Sequence, residues 1–246
     1  MPKAFLIPTE SCILKWFGYM PSGYNYAAAQ GESSFTYDNE NSDNYEIGYK
    51  SAFLDNNLTL SASLFNTKIR NKQIVDLLPG FIQTINNAAK STNKGVELSA
   101  RYYVNKDLIL AAHYAALDAI AEEYQLNAFN STGFSTIELS GKHLPLAAEN
   151  TYGMSVEYWL SDSLSFKVNA LGSSDYYFDI NNTVEQAGYL KFNAELMYEY
   201  KNLTVTLSAD NLTNEEILSR AVITPVGIAV EDAAPRYVSI NAKYGW

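Results

Sequence analysis

Two histidines and two pairs of adjacent carboxylates are the residues of this sequence best suited to metal or acid–base chemistry. His113 and His143 could each offer an imidazole nitrogen to a haem iron. Glu122–Glu123 and Glu231–Asp232 could bind a cation or transfer protons. His113 falls on the inner face of an alternating segment, and the other residues fall in long connections. We therefore interpret them as an inward-facing residue and as solvated loop residues.

The rest of the sequence offers no catalytic arrangement. It contains no G-x-S-x-G nucleophile motif and no glycine-rich phosphate loop. Cys12 is the only cysteine, which excludes an internal disulfide or a cysteine-based zinc site. The net charge of −10 argues against nucleic-acid binding, because no basic stripe is available to neutralise phosphates. We predict that the chain is not an enzyme and has no catalytic, cofactor or metal site.

Aromatic residues in the long connections are candidates for contact with a small-molecule ligand. The run 176–178 could equally belong to an aromatic girdle at a membrane interface. The candidates are Tyr24, Tyr124, Phe129, Phe134, Tyr176, Tyr177 and Phe178.

Segments of alternating apolar and polar residues must position these side chains. Residues 58–64 read LTLSASL and residues 203–209 read LTVTLSA. Such segments run for about 9 to 13 residues, which is the length of a strand that crosses a membrane in a barrel. No apolar run reaches the roughly 18 residues of a transmembrane helix. The pattern predicts about ten strands, including an irregular one near residues 3–19. Comparable segments lie at 96–104, 108–116, 152–160, 164–170, 190–198 and 238–246.

Short and long connections alternate along the chain. Tight links at residues 55–57, 105–107, 161–163 and 201–202 each join two predicted strands. Long links are predicted at residues 70–93, 118–146, 173–187 and 211–234. An outer-membrane barrel has short turns at one end and long loops at the other, so the alternation predicts that architecture.

The two faces of the predicted strands differ in composition. One face is apolar and carries aromatic residues near the strand ends, as expected for interfacial girdles. The other face carries charges that suit a wet lumen. A soluble antiparallel barrel or sandwich is the alternative. The girdle residues are Tyr45, Tyr49, Phe53, Tyr102, Tyr158, Tyr198, Tyr200, Tyr244 and Trp246; the charged residues are Glu46, Lys50, Glu97, Arg101, Glu157, Lys167, Glu195, Glu199 and Lys243.

Several short motifs resemble the barrel of TonB-dependent receptors. GYMPSGYN at 18–25 and YEIGYKS at 45–51 are similar to elements of that barrel, as is FNTKIRNKQ at 65–73. The order and spacing of the motifs from about residue 18 onward carry the resemblance. Further matches are NNA at 86–88, KGVEL at 94–98, GKHLP at 141–145, DNLTN at 210–214 and PRY at 235–237.

The resemblance implies a barrel of about 22 strands closed by a plug domain. We recognise no signal peptide, TonB box or plug in residues 1–246. We therefore expect an all-β antiparallel transmembrane barrel domain over 1–246 that is partial, the C-terminal part of such a receptor. Ten strands could otherwise close as a small barrel.

The function implied by the resemblance is uptake of a scarce nutrient, most often a ferric siderophore or another iron complex. The expected location is the outer membrane of a Gram-negative bacterium. Expected partners are membrane lipid, an iron chelate and, through a plug domain only, the TonB complex; no cofactor is expected. The alternatives are a passive pore and an outer-membrane hydrolase, the latter requiring Ser, His and Asp to converge.

Overall fold

The computed structural model is an all-β chain, as predicted. It describes residues 10–26, 35–78, 82–130, 133–224 and 227–245. Within these ranges no helix is long and apolar enough to cross a membrane. The strands are β1 (Glu10–Met20), β2 (Gly23–Tyr24), β3 (Thr36–Tyr37), β4 (Glu40–Phe53), β5 (Leu58–Leu78), β6 (Ile82–Tyr103), β7 (Leu108–Asn130), β8 (Gly133–Glu138), β9 (Asn150–Ser161), β10 (Leu164–Ser173), β11 (Tyr176–Tyr177), β12 (Glu185–Gln186), β13 (Tyr189–Tyr200), β14 (Leu203–Asp210), β15 (Leu218–Thr224), β16 (Gly227–Asp232) and β17 (Tyr237–Tyr244).

One antiparallel sheet contains most of the strands. Its order is β1-β4-β5-β6-β7-β9-β10-β13-β14-β17, and β8 pairs with the outer part of β7. The expected number of about ten main strands is confirmed. The sheet is open, since β1 and β17 do not pair with each other within the described residues. The possibility that ten strands close as a small barrel is therefore wrong for this structure.

The register of the strands confirms the division into an apolar and a polar face. Ile47 lies opposite Leu64, and Leu64 opposite Val96, on the apolar face. On the other face Glu157 lies opposite Lys167, and Lys167 opposite Glu195. The predicted girdle and lumen residues lie on these two faces as expected, except Trp246, which lies outside the described residues. A slip of one residue would exchange the faces, so the alternation specifies the register.

Tight turns lie at one end of the sheet, which we call the turn end. Leu54, Asp55 and Asn56 adopt positive φ between β4 and β5, and Lys201 does so between β13 and β14. Between β6 and β7 the Asn105 side chain accepts hydrogen bonds from the N–H groups of residues 107 and 108, at 2.8 and 3.0 Å. Asn and Asp tolerate this conformation and bond their own backbone, which explains the short links.

The opposite end, which we call the outer end, differs from the prediction. Residues 70–93 and much of 118–146 were expected to form loops, but β5, β6 and β7 continue as strands of 21, 22 and 23 residues. Register shifts between Ile69 and Gln73, and between Lys90 and Ser91, separate the regular part from this extension. The extension lacks strict alternation, and it is held by strand pairing together with side-chain contacts such as Lys90 with Glu123 and the burial of Ile74 and Ala121.

The buried apolar residues among those described all lie at the outer end. Ala121 is fully buried, and Leu139 and Ala119 are 3% and 4% exposed. Ile74, Ala89 and Val184 complete the set. The regular part of the sheet instead exposes large side chains such as Leu64 and Met154 on its apolar face. The regular part of the sheet therefore has no apolar core of its own within the described residues, and its exposed apolar face would be stabilised by an apolar environment.

Candidate functional site

The middle of the polar face contains His113, which lies opposite Ser99 on one side and Gly153 on the other. Its ring fills the space above Gly153, where a Cβ atom would clash with the imidazole. Ser99 lies directly opposite on β6 and is hydrogen-bonded to Ser61 at 2.7 Å rather than to the histidine. The described residues contain no group of three or more His, Cys, Asp or Glu that could hold a metal ion.

His143 lies in a different place, on a segment paired with the outer part of β7. It forms a bridge with Ile120, and its Nε2 atom is 3.9 Å from a Glu149 carboxylate oxygen. Its ring centroid is 6.5 Å from that of Tyr177. The two histidines thus belong to separate elements, and haem ligation by both is not supported.

The adjacent carboxylates are engaged locally. Glu123 pairs with Lys90 at 2.8 Å, and Glu122 accepts a hydrogen bond from the Thr92 hydroxyl at 2.7 Å. Glu231 and Asp232 lie on β16, which forms a separate hairpin with β15. The prediction that these carboxylates lie in loops is wrong, because Glu122 and Glu123 lie in β7 and Glu231 and Asp232 in β16, but all four are exposed as expected.

Four asparagines of the described chain make a reciprocal contact that sequence reasoning missed, which we call an amide clasp. In each clasp the side-chain amide donates to the C=O of a residue and accepts from the N–H of the same residue, as one strand does to another. Asn25 clasps Ile85 at 2.9 and 2.8 Å, and Asn182 clasps His143 at 2.9 and 3.0 Å. The other two are Asn87 with Asp38 and Asn211 with Glu215.

Asp179 shapes the turn that presents the Asn182 clasp. Its carboxylate accepts hydrogen bonds from the N–H groups of Asn181, Thr183 and Val184 at 2.8–3.1 Å. Partial burial raises the pKa of Asp179, but these hydrogen bonds outweigh burial and the net pKa lies below its ordinary value of 3.8. The turn is therefore retained above that pH and is weakened only as the pH falls through the lowered pKa.

The outer-end loops are joined to one another through these contacts. The segment at residues 142–146 binds β7 through the Leu144 N–H and the Ala119 C=O, at 2.9 Å. The hairpin of β11 and β12 then binds this segment through the Leu146 N–H and the Tyr177 C=O, at 2.7 Å, and through the Asn182 clasp. Tyr176 and its neighbours are thus held on a braced hairpin.

The structure places the aromatic candidates in different parts of the fold, with Tyr177 next to Tyr176 on β11. Tyr176 and Phe178 lie together, with ring centroids 5.5 Å apart. Tyr24 is 72% exposed and contacts Phe35 at 5.4 Å, while Tyr124 lies in the strand extension rather than in a loop. The side chains of Phe129 and Phe134 lie outside the described part of the structure.

A groove of about 420 Å³ lies on the polar face next to Tyr176. Its floor is a single register row that crosses five strands, from Glu97 through Ala115, Thr151 and Ser173 to Tyr189. The small side chains in the middle of this row give the groove its depth. We call it the row groove.

Aromatic and apolar side chains form the walls of the row groove. Phe65 lies over Gly95, where any side chain would meet both the Phe65 ring and the Ala116 C=O. Leu146 and Tyr176 border the groove from the braced loops. Burial and the neighbouring Tyr189 raise the pKa of Tyr176 above 10.0, so this phenol remains neutral at physiological pH.

Comparison with known proteins identifies the family of the fold. Residues 17–212 match the model of the TonB dependent receptor-like β-barrel. This chain belongs to that family. The motifs at 18–25, 45–51, 65–73, 86–88, 94–98, 141–145 and 210–214 lie wholly inside or largely within the matched range, so the resemblance seen in the sequence is confirmed.

Relatives of this TonB-dependent receptor barrel are described as receptors. The chain is 25% identical over 208 residues to the "Probable TonB-dependent siderophore receptor PiuA" of Acinetobacter baumannii, covering 84% of the chain and 27% of that protein. It is 25% identical over 235 residues to the "Pesticin receptor" of Yersinia enterocolitica, covering 92% and 32%. The chain therefore spans about a third or less of these relatives.

Solved structures show the same fold for this receptor barrel. The ferric yersiniabactin uptake receptor FyuA of Yersinia pestis superposes with a TM-score of 0.77 and 20% identity, over 96% of this chain and 35% of that one. The siderophore receptor PiuA of Acinetobacter baumannii gives a TM-score of 0.74 and 24% identity, over 94% and 33%. These likenesses confirm that the open sheet has the form of part of a larger receptor barrel.

Proposed function

We propose that this chain forms part of the wall of an outer-membrane receptor that takes up a ferric siderophore or another iron complex in a Gram-negative bacterium. The match of residues 17–212 to the receptor barrel carries the proposal. The relatives named as siderophore receptors support the ligand class.

The two faces of the sheet suit this role. The apolar face exposes residues such as Leu64, Met154 and Ile240, and in a membrane these would contact lipid. The polar face would line the lumen, where hydroxyl, amide and charged groups tolerate water. At the outer end the braced loops would place Tyr176 where a ligand enters.

The resemblance implies that energy coupling depends on a plug domain, which is not part of the described sheet. Residues 1–246 would act as one partial barrel domain, and the TonB complex would act through a plug domain in the lumen. The relatives are receptors rather than enzymes, and no described serine is bonded to a histidine in a hydrolase-like arrangement. The hydrolase and pore alternatives are therefore not favoured.

The experiment that tests the function is deletion of the gene that encodes this chain. Iron-starved cells would be given ⁵⁵Fe complexed with siderophores extracted from their own culture medium. We expect the deletion strain to lose energy-dependent ⁵⁵Fe uptake of that mixture or of one separated fraction, and the intact gene to restore it. A protonophore serves as the control for energy coupling.

Unchanged uptake of every fraction in the deletion strain would contradict the proposal. Protonophore-insensitive leakage of small solutes through the purified chain in vesicles would instead favour a pore.

A further inference from the structure

We propose that the row groove binds a cationic aromatic group of the ligand, with Glu97 as the counter-ion and Tyr176 and Tyr189 as the aromatic contacts. The inference rests on the proposed receptor function and adds the chemical class of the ligand group. It follows from the charge, shape and lining of the groove.

The charge of the groove is one-sided. Glu97 is the acidic residue among those that line it, and none of the described lining residues is Lys, Arg or His. Glu97 is exposed, and no described cation pairs with it, whereas Lys90 and Lys94 are paired with Glu123 and Asp118. A cationic ligand group would be attracted to the unpaired Glu97 carboxylate, and an anionic group would be repelled by it.

A second acidic residue, Glu46, lies near Glu97 on the polar face. Glu46 lies two strands from Glu97 and two residues nearer the outer end, and both line a neighbouring cavity that Lys50 and His113 also line. Lys50 itself lies directly opposite Glu10 on β1. Glu10, Glu46 and Glu97 therefore outnumber the single lysine among the residues that line this neighbouring cavity.

The dimensions of the groove match an aromatic ring with a short charged arm. The Cα atoms of Glu97 and Tyr189 lie about 19 Å apart along the sheet, from four strand spacings. Ala115, Thr151 and Ser173 lie between the two residues in the row, and their small side chains leave room for a flat group. Aromatic faces also attract cations, so the phenol rings and the carboxylate favour the same ligand group.

The test uses three probes of similar shape and different charge: 2-naphthylmethylammonium, 2-naphthylmethanol and 2-naphthylacetate. Binding to the full chain in detergent micelles would be measured by saturation-transfer NMR and titration, with protein-free micelles as a blank. We expect the ammonium probe to bind about fivefold or more tightly than the acetate probe.

The variant Glu97→Gln should weaken binding of the ammonium probe about fivefold while changing the alcohol less than about twofold. The matched control is Glu157→Gln, which removes the same charge from the same face outside the groove and should leave all three affinities unchanged. Thr151→Phe fills the floor and should abolish binding of all three probes. Circular dichroism of each variant checks that strand content is retained.

Equal or tighter binding of the acetate probe would overturn the inference, as would equal losses in the Glu97 and Glu157 variants. Failure of the receptor function is separable from this result. Loss of ⁵⁵Fe uptake in the deletion strain together with preference for the acetate probe would refute only the groove assignment. The expected probe selectivity with unchanged ⁵⁵Fe uptake would refute only the iron ligand.

Discussion

At the residue scale, the asparagine side chain of each amide clasp makes the two hydrogen bonds that the backbone of a neighbouring strand would otherwise make. An asparagine can donate and accept at once, so it satisfies both backbone groups of one partner residue. Asn211 is the most buried example, at 2% exposure. Its Nδ2 atom faces the Glu215 C=O at 2.9 Å and the Ala234 C=O at 3.5 Å. An acceptor could not replace the amide donor at this position.

We expect Asn211→Asp to lower the free energy of unfolding by about 2–3 kcal/mol, because a carboxylate would face two carbonyl oxygens without a donor. Urea titration of the chain in micelles, followed by tryptophan fluorescence, measures the change. Asn202→Asp, in the exposed turn between β13 and β14, is the matched control and should cost far less. Equal effects of the two substitutions would contradict the clasp as a source of stability.

The sequence contains only part of the information about this residue. Asn211 belongs to the DNLTN motif, and its position at a strand exit is visible from the alternation that ends at Asp210. Its partners lie 4 and 23 residues away, on a loop whose path depends on β17. The same holds for the row groove, because Glu97 and Tyr189 come to lie in one row only through the register of four strand pairs.

At the element scale, β5, β6 and β7 each combine two kinds of strand. The regular part next to the turn end alternates strictly, with Leu58 to Leu64 on the apolar face. Beyond the register shifts the same strands form the outer end, where Ala121 is fully buried. The Ala121 N–H donates to the Lys142 C=O at 2.9 Å, and its own C=O accepts from Gly141 at 2.7 Å. Ala121 thus joins the extension to the braced loops.

We expect Ala121→Glu to loosen the extension without unfolding the regular part, because the carboxylate cannot be buried without a partner. Trypsin added to the chain folded in detergent micelles should then cleave at Lys90 or Lys142 faster than it cleaves the unchanged chain. Mass spectrometry identifies the sites. Ala229→Glu on the exposed β16 is the control, and the same new cleavages in that variant would contradict the expectation.

The strands and turns were predictable where the sequence alternates between apolar and polar residues or places Asn and Asp between two such segments. The turns at 55–57 and 201–202 follow from Asn and Asp residues between two alternating runs. The extension of β5 to Leu78 was not predictable, because Asn71, Lys72 and Gln73 form no alternating pattern. Its strand pairing depends on the neighbouring β6.

At the scale of the whole molecule, the open sheet leaves two unpaired edges. Every second residue of β1 and of β17 directs its N–H and C=O groups away from the sheet. Within a bilayer each unsatisfied group costs several kcal/mol, so the sheet requires another strand at each edge. The relatives, about three times as long, support the proposal that a larger barrel supplies them.

We expect the isolated chain, folded in detergent, to migrate equally with and without boiling on an SDS gel, because an open sheet does not resist the detergent. A small closed outer-membrane barrel serves as the positive control. A faster-migrating unboiled band at monomer size would show that the ten strands close on themselves, and would contradict the open sheet.

The directions of the two edge strands limit what can complete the sheet. Glu10 pairs with Lys50 next to the turn end, so β1 runs toward the outer end. Tyr244 pairs with Leu203, so β17 runs back toward the turn end. A complement that is antiparallel at both edges must therefore contain an even number of strands, and its first and last strands must begin and end at the turn end. A complement with an odd number would force one parallel junction, which a two-residue turn cannot connect.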